Sequence, residues 1–117
     1  MPREAQLDLL QGTLDLLILR TLREGPLHGY AVARRIQAAT GDALRIEEGS
    51  LYPALHRMQK RGWIAASWGA SENNRRAKFY RLALAGRKQL ASQESAWLRF
   101  ADAVGRVLQP GAKGAKA

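Results

Sequence analysis

The sequence predicts a mainly α fold with a small β-hairpin, and three observations lead there. Apolar residues recur at helical spacing in four separate stretches, and the first three are closed by glycine. Between Trp63 and Leu82 the period changes to two on either side of a polar, Asn-containing segment. The length of 117 residues suits one compact domain, and 46% hydrophobic with 25% charged residues is ordinary for a globular chain.

The first stretch places apolar residues at Leu14, Leu17, Ile18 and Leu22 and predicts a helix from Leu10, ended by Gly25-Pro26. A second helix is expected from about Gly29 to Thr40, with Tyr30, Ala33, Ile36 and Gln37 on one face, closed by Gly41. A short extended piece around Leu44–Ile46 follows. Gly49-Ser50 offers an N-cap for a third helix over about 50–61, with Pro53 in its first turn. Leu51, Tyr52, Leu55 and Met58 read as its core face, and Ser50, Pro53, Ala54, Arg57, Lys60 and Arg61 as its outer one.

Trp63 to Trp68 then alternates as a strand, the segment 69–76 makes a long basic tip, and Ala77–Leu82 returns, giving a hairpin over about 63–82. Trp63 and Trp68 fall on opposite faces, so one of them is expected to lie outside the core. The last helix runs to Leu108, with Leu90, Trp97, Ala101, Val104 and Leu108 on a 3-4 spaced seam whose one polar member is Glu94. Residues 109–117 are low in complexity and expected to be disordered.

The formal charge is +9, and it is focused. Residues 1–30 carry three basic and four acidic side chains, whereas nine basic residues and only Glu72 lie between Arg57 and Lys88. Such a cluster can be a merely solvated surface, or it can meet a polyanion. The absence of cysteine excludes disulfides, thiolate metal sites and a cysteine nucleophile. The run Leu14–Leu22, cut by Asp15 and Arg20, is far below the ~18–20 residues of a membrane span, so a soluble, cytoplasmic chain is expected. His28 and His56, without Cys partners, make a metal site improbable, and Ser50 has no activating base beside it. Neither an enzyme active site nor a cofactor site is expected.

Three helices followed by a two-stranded hairpin, with charge on the outer face of the third helix and on the hairpin tip, is the layout of a winged helix-turn-helix, here with a long C-terminal helix. A helix about 10–12 Å across fits the major groove of B-DNA. Ser50, Pro53, Ala54 and Arg57 would then meet base edges, and Lys60 and Arg61, with Arg57, the flanking phosphates. Arg75 and Arg76, with Asn73, Asn74 and Lys78 around them, would reach along the backbone or into the minor groove. Tyr30 and Tyr52 are ambiguous between a phosphate contact and simple packing. The connection between the second and third helices is longer than in a plain helix-turn-helix, and a short strand around Arg45–Ile46 joining the wing would explain it.

The segments Gly12-Thr13-Leu14-Asp15-Leu16-Leu17-Ile18-Leu19, His28-Gly29-Tyr30, Glu48 to Arg57, Arg61-Gly62-Trp63-Ile64, Glu72 to Tyr80 and Leu84-Ala85-Gly86-Arg87 resemble, in order, the PadR family of bacterial transcriptional regulators. The resemblance spans about residues 8–108 and is to the branch with a single C-terminal helix. It implies a repressor that binds an inverted-repeat DNA operator as a homodimer. Residues 1–83 would form the DNA-binding region, and 84–108 the dimerisation helix, aided by part of the first helix. Leu14, Leu90, Trp97, Ala101, Val104 and Leu108 are then the expected dimer contacts. In some relatives an aromatic residue on this helix faces a central cavity and stacks on a flat ligand, so Trp97 is also a candidate for a small-molecule effector. The rival readings are a winged helix used as a protein-interaction module and a non-specific nucleic-acid binder.

Overall fold

The structure, a computed structural model, describes residues 11–111. The expected helix start at Leu10 and the end of the tail, 112–117, lie outside the described residues. Four helices and three strands follow one another as α1 (Gln11–Leu22), β1 (Leu27–His28), α2 (Gly29–Ala39), α3 (Glu48–Lys60), β2 (Ile64–Ala70), β3 (Arg76–Leu82) and α4 (Leu84–Leu108). This is the mainly helical fold with a small antiparallel sheet and a long last helix that the sequence predicts.

The core forms where the helices meet the base of the hairpin. Leu14, Ile18, Leu19 and Leu22 of α1 pack with Val32 and Ile36 of α2 and with Leu51, Ala54, Leu55 and Met58 of α3. Ile64, Tyr80 and Leu82 close it from the sheet, and Leu90 from α4. Leu14 and Leu90, expected at a dimer contact, are thus buried inside the protomer's own core.

The sheet has the order β1-β3-β2. Ile64 pairs with Leu82, Ala66 with Tyr80, Trp68 with Lys78 and Ala70 with Arg76. Because side chains alternate, these pairs share one face: its base is buried against the helices, and its outer half continues past them. The third strand is not at Arg45–Ile46, which has no regular structure, but at Leu27–His28, paired with Tyr80 and Phe79. The residues 44–47 instead form an irregular link, with Leu44 and Ile46 packed against the core.

Two helices differ in phase from the sequence reading. In α2 the buried residues are Gly29, Val32 and Ile36, so Tyr30 points outward. In α3 Ala54 is fully buried and Tyr52 is partly exposed, the reverse of the expected faces. A small residue lets α3 approach the core closely, whereas a phenol with its polar hydroxyl stays at the rim. The helix also begins two residues earlier than expected: Glu47 is the cap, its side chain accepts no capping hydrogen bond, and its carbonyl accepts from the Ser50 and Leu51 N–H groups. Ser50 is therefore within the first turn, not the cap, and Pro53 lies in the second turn, where its missing N–H leaves the Gly49 carbonyl without an intrahelical donor.

The end of α3 sets the start of the wing. Gly62 has φ +77°, its N–H bonds the Gln59 carbonyl, and the Trp63 N–H bonds the Met58 carbonyl. This paired closure favours glycine at the left-handed position and turns the chain straight into β2.

Candidate nucleic-acid interface

With Leu51, Ala54, Leu55 and Met58 directed inward, α3 leaves Gly49, Ser50, Tyr52, Pro53, His56 and Lys60 exposed. These positions recur at helical spacing and make one outward face. His56, which the sequence reading assigned no role, lies on it three residues from Pro53 and four from Lys60. The signal was in the spacing, and the misplaced phase concealed it.

Arg57 is held elsewhere. Its Nη2 donates to Asp15 Oδ1 at 3.0 Å, an ion pair joining α1 to α3. Asp15 is only 7% exposed. Burial raises its pKa above the ordinary carboxylate value, and the charge and hydrogen bond of Arg57 act against that rise. Arg57 thus secures the helix from behind, while Lys60 and Arg61 at its C-terminal end are exposed.

The wing tip is a tight three-residue loop. Asn74 N–H donates to the Ser71 carbonyl and Ser71 N–H to the Arg75 carbonyl, with Asn74 at φ +57°. Asparagine tolerates this left-handed conformation, which closes a type I turn into a hairpin. Glu72, Asn73, Asn74, Arg75 and Arg76 are all exposed. Arg76 lies over the Trp68 ring, 4.7 Å from its centroid, and Lys78 over Tyr80 at 5.7 Å. Of the two tryptophans at the hairpin, Trp63 packs against the core under Arg61, and Trp68 is 59% exposed.

His28 ties the wing to the body. Its Nδ1 accepts the Ala31 N–H at 3.2 Å and caps α2, its Nε2 lies 3.4 Å from Glu72 Oε1, and its ring meets Phe79 edge-on. Because Nδ1 accepts, the neutral ring carries its proton on Nε2 and can donate it to Glu72. A backbone hydrogen bond of its own residue and the bond from His28 hold the Glu72 carboxyl below its ordinary pKa.

Tyr52 joins the parts. A Cβ added to Gly29 would come within 2.9 Å of Tyr52 Cε1, so the start of α2 sits directly on the phenol ring. Burial, then the Glu48 charge, raises the Tyr52 pKa, so the hydroxyl keeps its proton and remains a donor at neutral pH. Tyr30 is exposed and accepts a hydrogen bond from Arg34 Nη1 at 3.1 Å.

Charge pairing divides the cations. Arg20, Arg23, Arg35, Arg57 and Arg106 each have a carboxylate partner. Among the described residues Lys60, Arg61, Arg75, Arg76, Lys78 and Arg81 have none, and neither have Arg34, Arg45, Arg87, Lys88 and Arg99 elsewhere on the surface. No group of three His, Cys, Asp or Glu able to hold a metal occurs among the described residues. Nor is any described helix long and apolar enough to cross a membrane.

A helix with a bare outer face beside a hairpin of unpaired cations defines a winged-helix DNA-binding regulator. Residues 18–92 match the transcriptional regulator PadR-like family. The chain belongs to that family, as its motifs suggested. It resembles a PadR family transcriptional regulator from Eggerthella lenta at 34% identity and TM-score 0.70, covering 85% of this chain and 84% of the other. A PadR-like regulator from Bacillus cereus is 29% identical with TM-score 0.74, covering 86% and 95%. A transcriptional regulator from Clostridium thermocellum, also 29% identical, has TM-score 0.74 over 82% and 93%.

Proposed function

We propose that this PadR-like regulator is a repressor that binds an inverted-repeat operator as a homodimer. Each protomer places α3 in a major groove, with Ser50, Tyr52, Pro53 and His56 toward the bases and Lys60 and Arg61 toward phosphates. The wing, through Asn73, Asn74, Arg75, Arg76 and Lys78, follows the backbone, and Tyr30 lies at the edge of the contact. Half-sites stand about one helical turn, roughly 34–36 Å, or more apart. Repression follows from occupying a promoter.

The observation that carries the reading is the exposed outer face of α3 beside a wing whose cations Arg75, Arg76 and Lys78 have no carboxylate partner among the described residues. Support for the dimer comes from α4. Trp97 is 44% exposed, and Val104, Phe100 and Leu108 are exposed with it, an apolar stripe that the protomer leaves open. Gln93 Oε1 on the same helix is buried with no hydrogen-bond partner among the described residues. Ala101 lies within this stripe. Trp97, large and flat, is also the side chain best suited to stack on a small-molecule effector between two such helices.

Affinity for the duplex upstream of the protein's own gene, compared with random duplex across a salt series, tests the reading. Specific sites should bind on the order of 10³-fold or more tighter than random sequence. Equal affinities leave a non-specific binder, and absence of binding to either favours a protein partner.

A further inference from the structure

Trp68 is used neither by the core nor by the DNA contacts proposed above. It is on the sheet face that carries Ile64, Ala66, Tyr80 and Leu82 into the core, two residues farther along β2, where the helices no longer cover the sheet. Burying an indole favours folding over leaving it exposed, yet this one stands out on a wing that has no core of its own. Its surroundings are cationic. Arg76 stacks on the ring, Lys78 is its cross-strand partner, and the adjoining Arg75 is exposed. A hollow of about 330 Å³ opens beside it, lined by Trp68, Gly69, Ala70, Asn74 and Arg76.

An apolar plate set among cations suits a ligand that alternates apolar rings with anions. The sugar–phosphate backbone of duplex DNA has that pattern: each deoxyribose offers a C–H surface between two phosphates. The wing is also joined directly to the proposed contact on α3, because Gly62 turns the chain from the end of that helix straight into β2. We propose that Trp68 is a DNA-contact residue whose indole packs on a deoxyribose of the backbone beside the α3 site, with the guanidinium of Arg76 stacked on the ring and directed to the neighbouring phosphate. The proposal rests on the DNA-binding reading above and adds an uncharged contact to it.

An indole neutralises no phosphate, so its loss should weaken binding without altering the salt dependence, whereas loss of a phosphate-bound cation lowers the log–log slope by about 0.9. The test compares Trp68→Ala, Trp68→Phe and Arg76→Ala with the wild type on promoter duplex and on random duplex across a salt series. Thermal unfolding of each variant establishes that it is folded. Trp68→Ala should bind both duplexes roughly ten-fold more weakly at an unchanged slope, with Trp68→Phe retaining most of the affinity. Arg76→Ala should lower the slope. Undiminished affinity of Trp68→Ala overturns the proposal. So does a slope lowered as far as in Arg76→Ala, which would reduce Trp68 to a support for that side chain. If the wild type binds neither duplex, the DNA-binding reading itself fails, a result distinct from failure of the Trp68 contact alone.

Discussion

Asp15 and Arg57 show how a residue can look like one thing in a sequence and be another in a fold. Arg57 belongs to the cationic cluster by position, yet its guanidinium is turned back to a buried carboxylate on α1. Burial is the largest influence on Asp15 and raises its pKa above 3.8. The unfolded chain then loses its proton first as pH rises, so Asp15 contributes most to stability below about pH 3.8, and that contribution fades through the raised folded value. Relative to Asp15→Asn, which retains an acceptor for Arg57, the wild type should therefore lose stability as pH rises from about 3.8 through the raised folded value. Urea midpoints of the two proteins across that range measure it, and a constant difference would contradict the burial argument. The phase of α3 was the other residue-level surprise. Tyr52 and Ala54 are both compatible with either face by hydropathy, and only close packing against α1 and the sheet selects the small one.

At the scale of elements, the junction of α3, the wing and α4 is built on backbone approach. The Trp63 carbonyl accepts the Ala83 N–H at 2.9 Å, and Gly86 in the first turn of α4 lies so close that a Cβ would overlap that carbonyl. The obstacle is backbone, which cannot rotate away. Gly86→Ala should cost about 1–3 kcal/mol, read as a lower urea midpoint at an unchanged m-value. The hairpin and its Asn-containing tip were legible because strand period and turn chemistry coincide there. The strand Leu27–His28 was not. Two residues carry no period, and histidine is not among the usual helix caps, so neither β1 nor the start of α2 announces itself.

Over the described residues the molecule is longer than its residue count requires. Its radius of gyration is 16.3 Å, against about 13 Å for a compact domain of this size. The excess belongs to α4, which has 25 residues and is buried only near its start, at Gly86 and Leu90. Glu94, the polar member of the seam, approaches Arg23 at 3.9 Å, and beyond it the apolar side chains are open. If this stripe is the dimer contact, Trp97→Glu combined with Val104→Lys should give a folded monomer that binds operator DNA poorly. Sedimentation velocity and binding to a full inverted repeat check both parts, and a persistent dimer would refute the assignment.

By itself the sequence determined the order of elements, the concentration of charge from Arg57 to Lys88 and, through its motifs, the family. These are properties of composition and period along the chain, and they survive without knowledge of what touches what. Tertiary structure decided which way each helix faces, that Arg57 turns inward to Asp15, that Leu14 and Leu90 belong to the protomer's core, and that Trp68 stands beyond the core on the wing. The reason is physical: periodicity defines a stripe on a helix only to within a residue or so, and close packing with a partner carboxylate or carbonyl selects among the faces that periodicity allows.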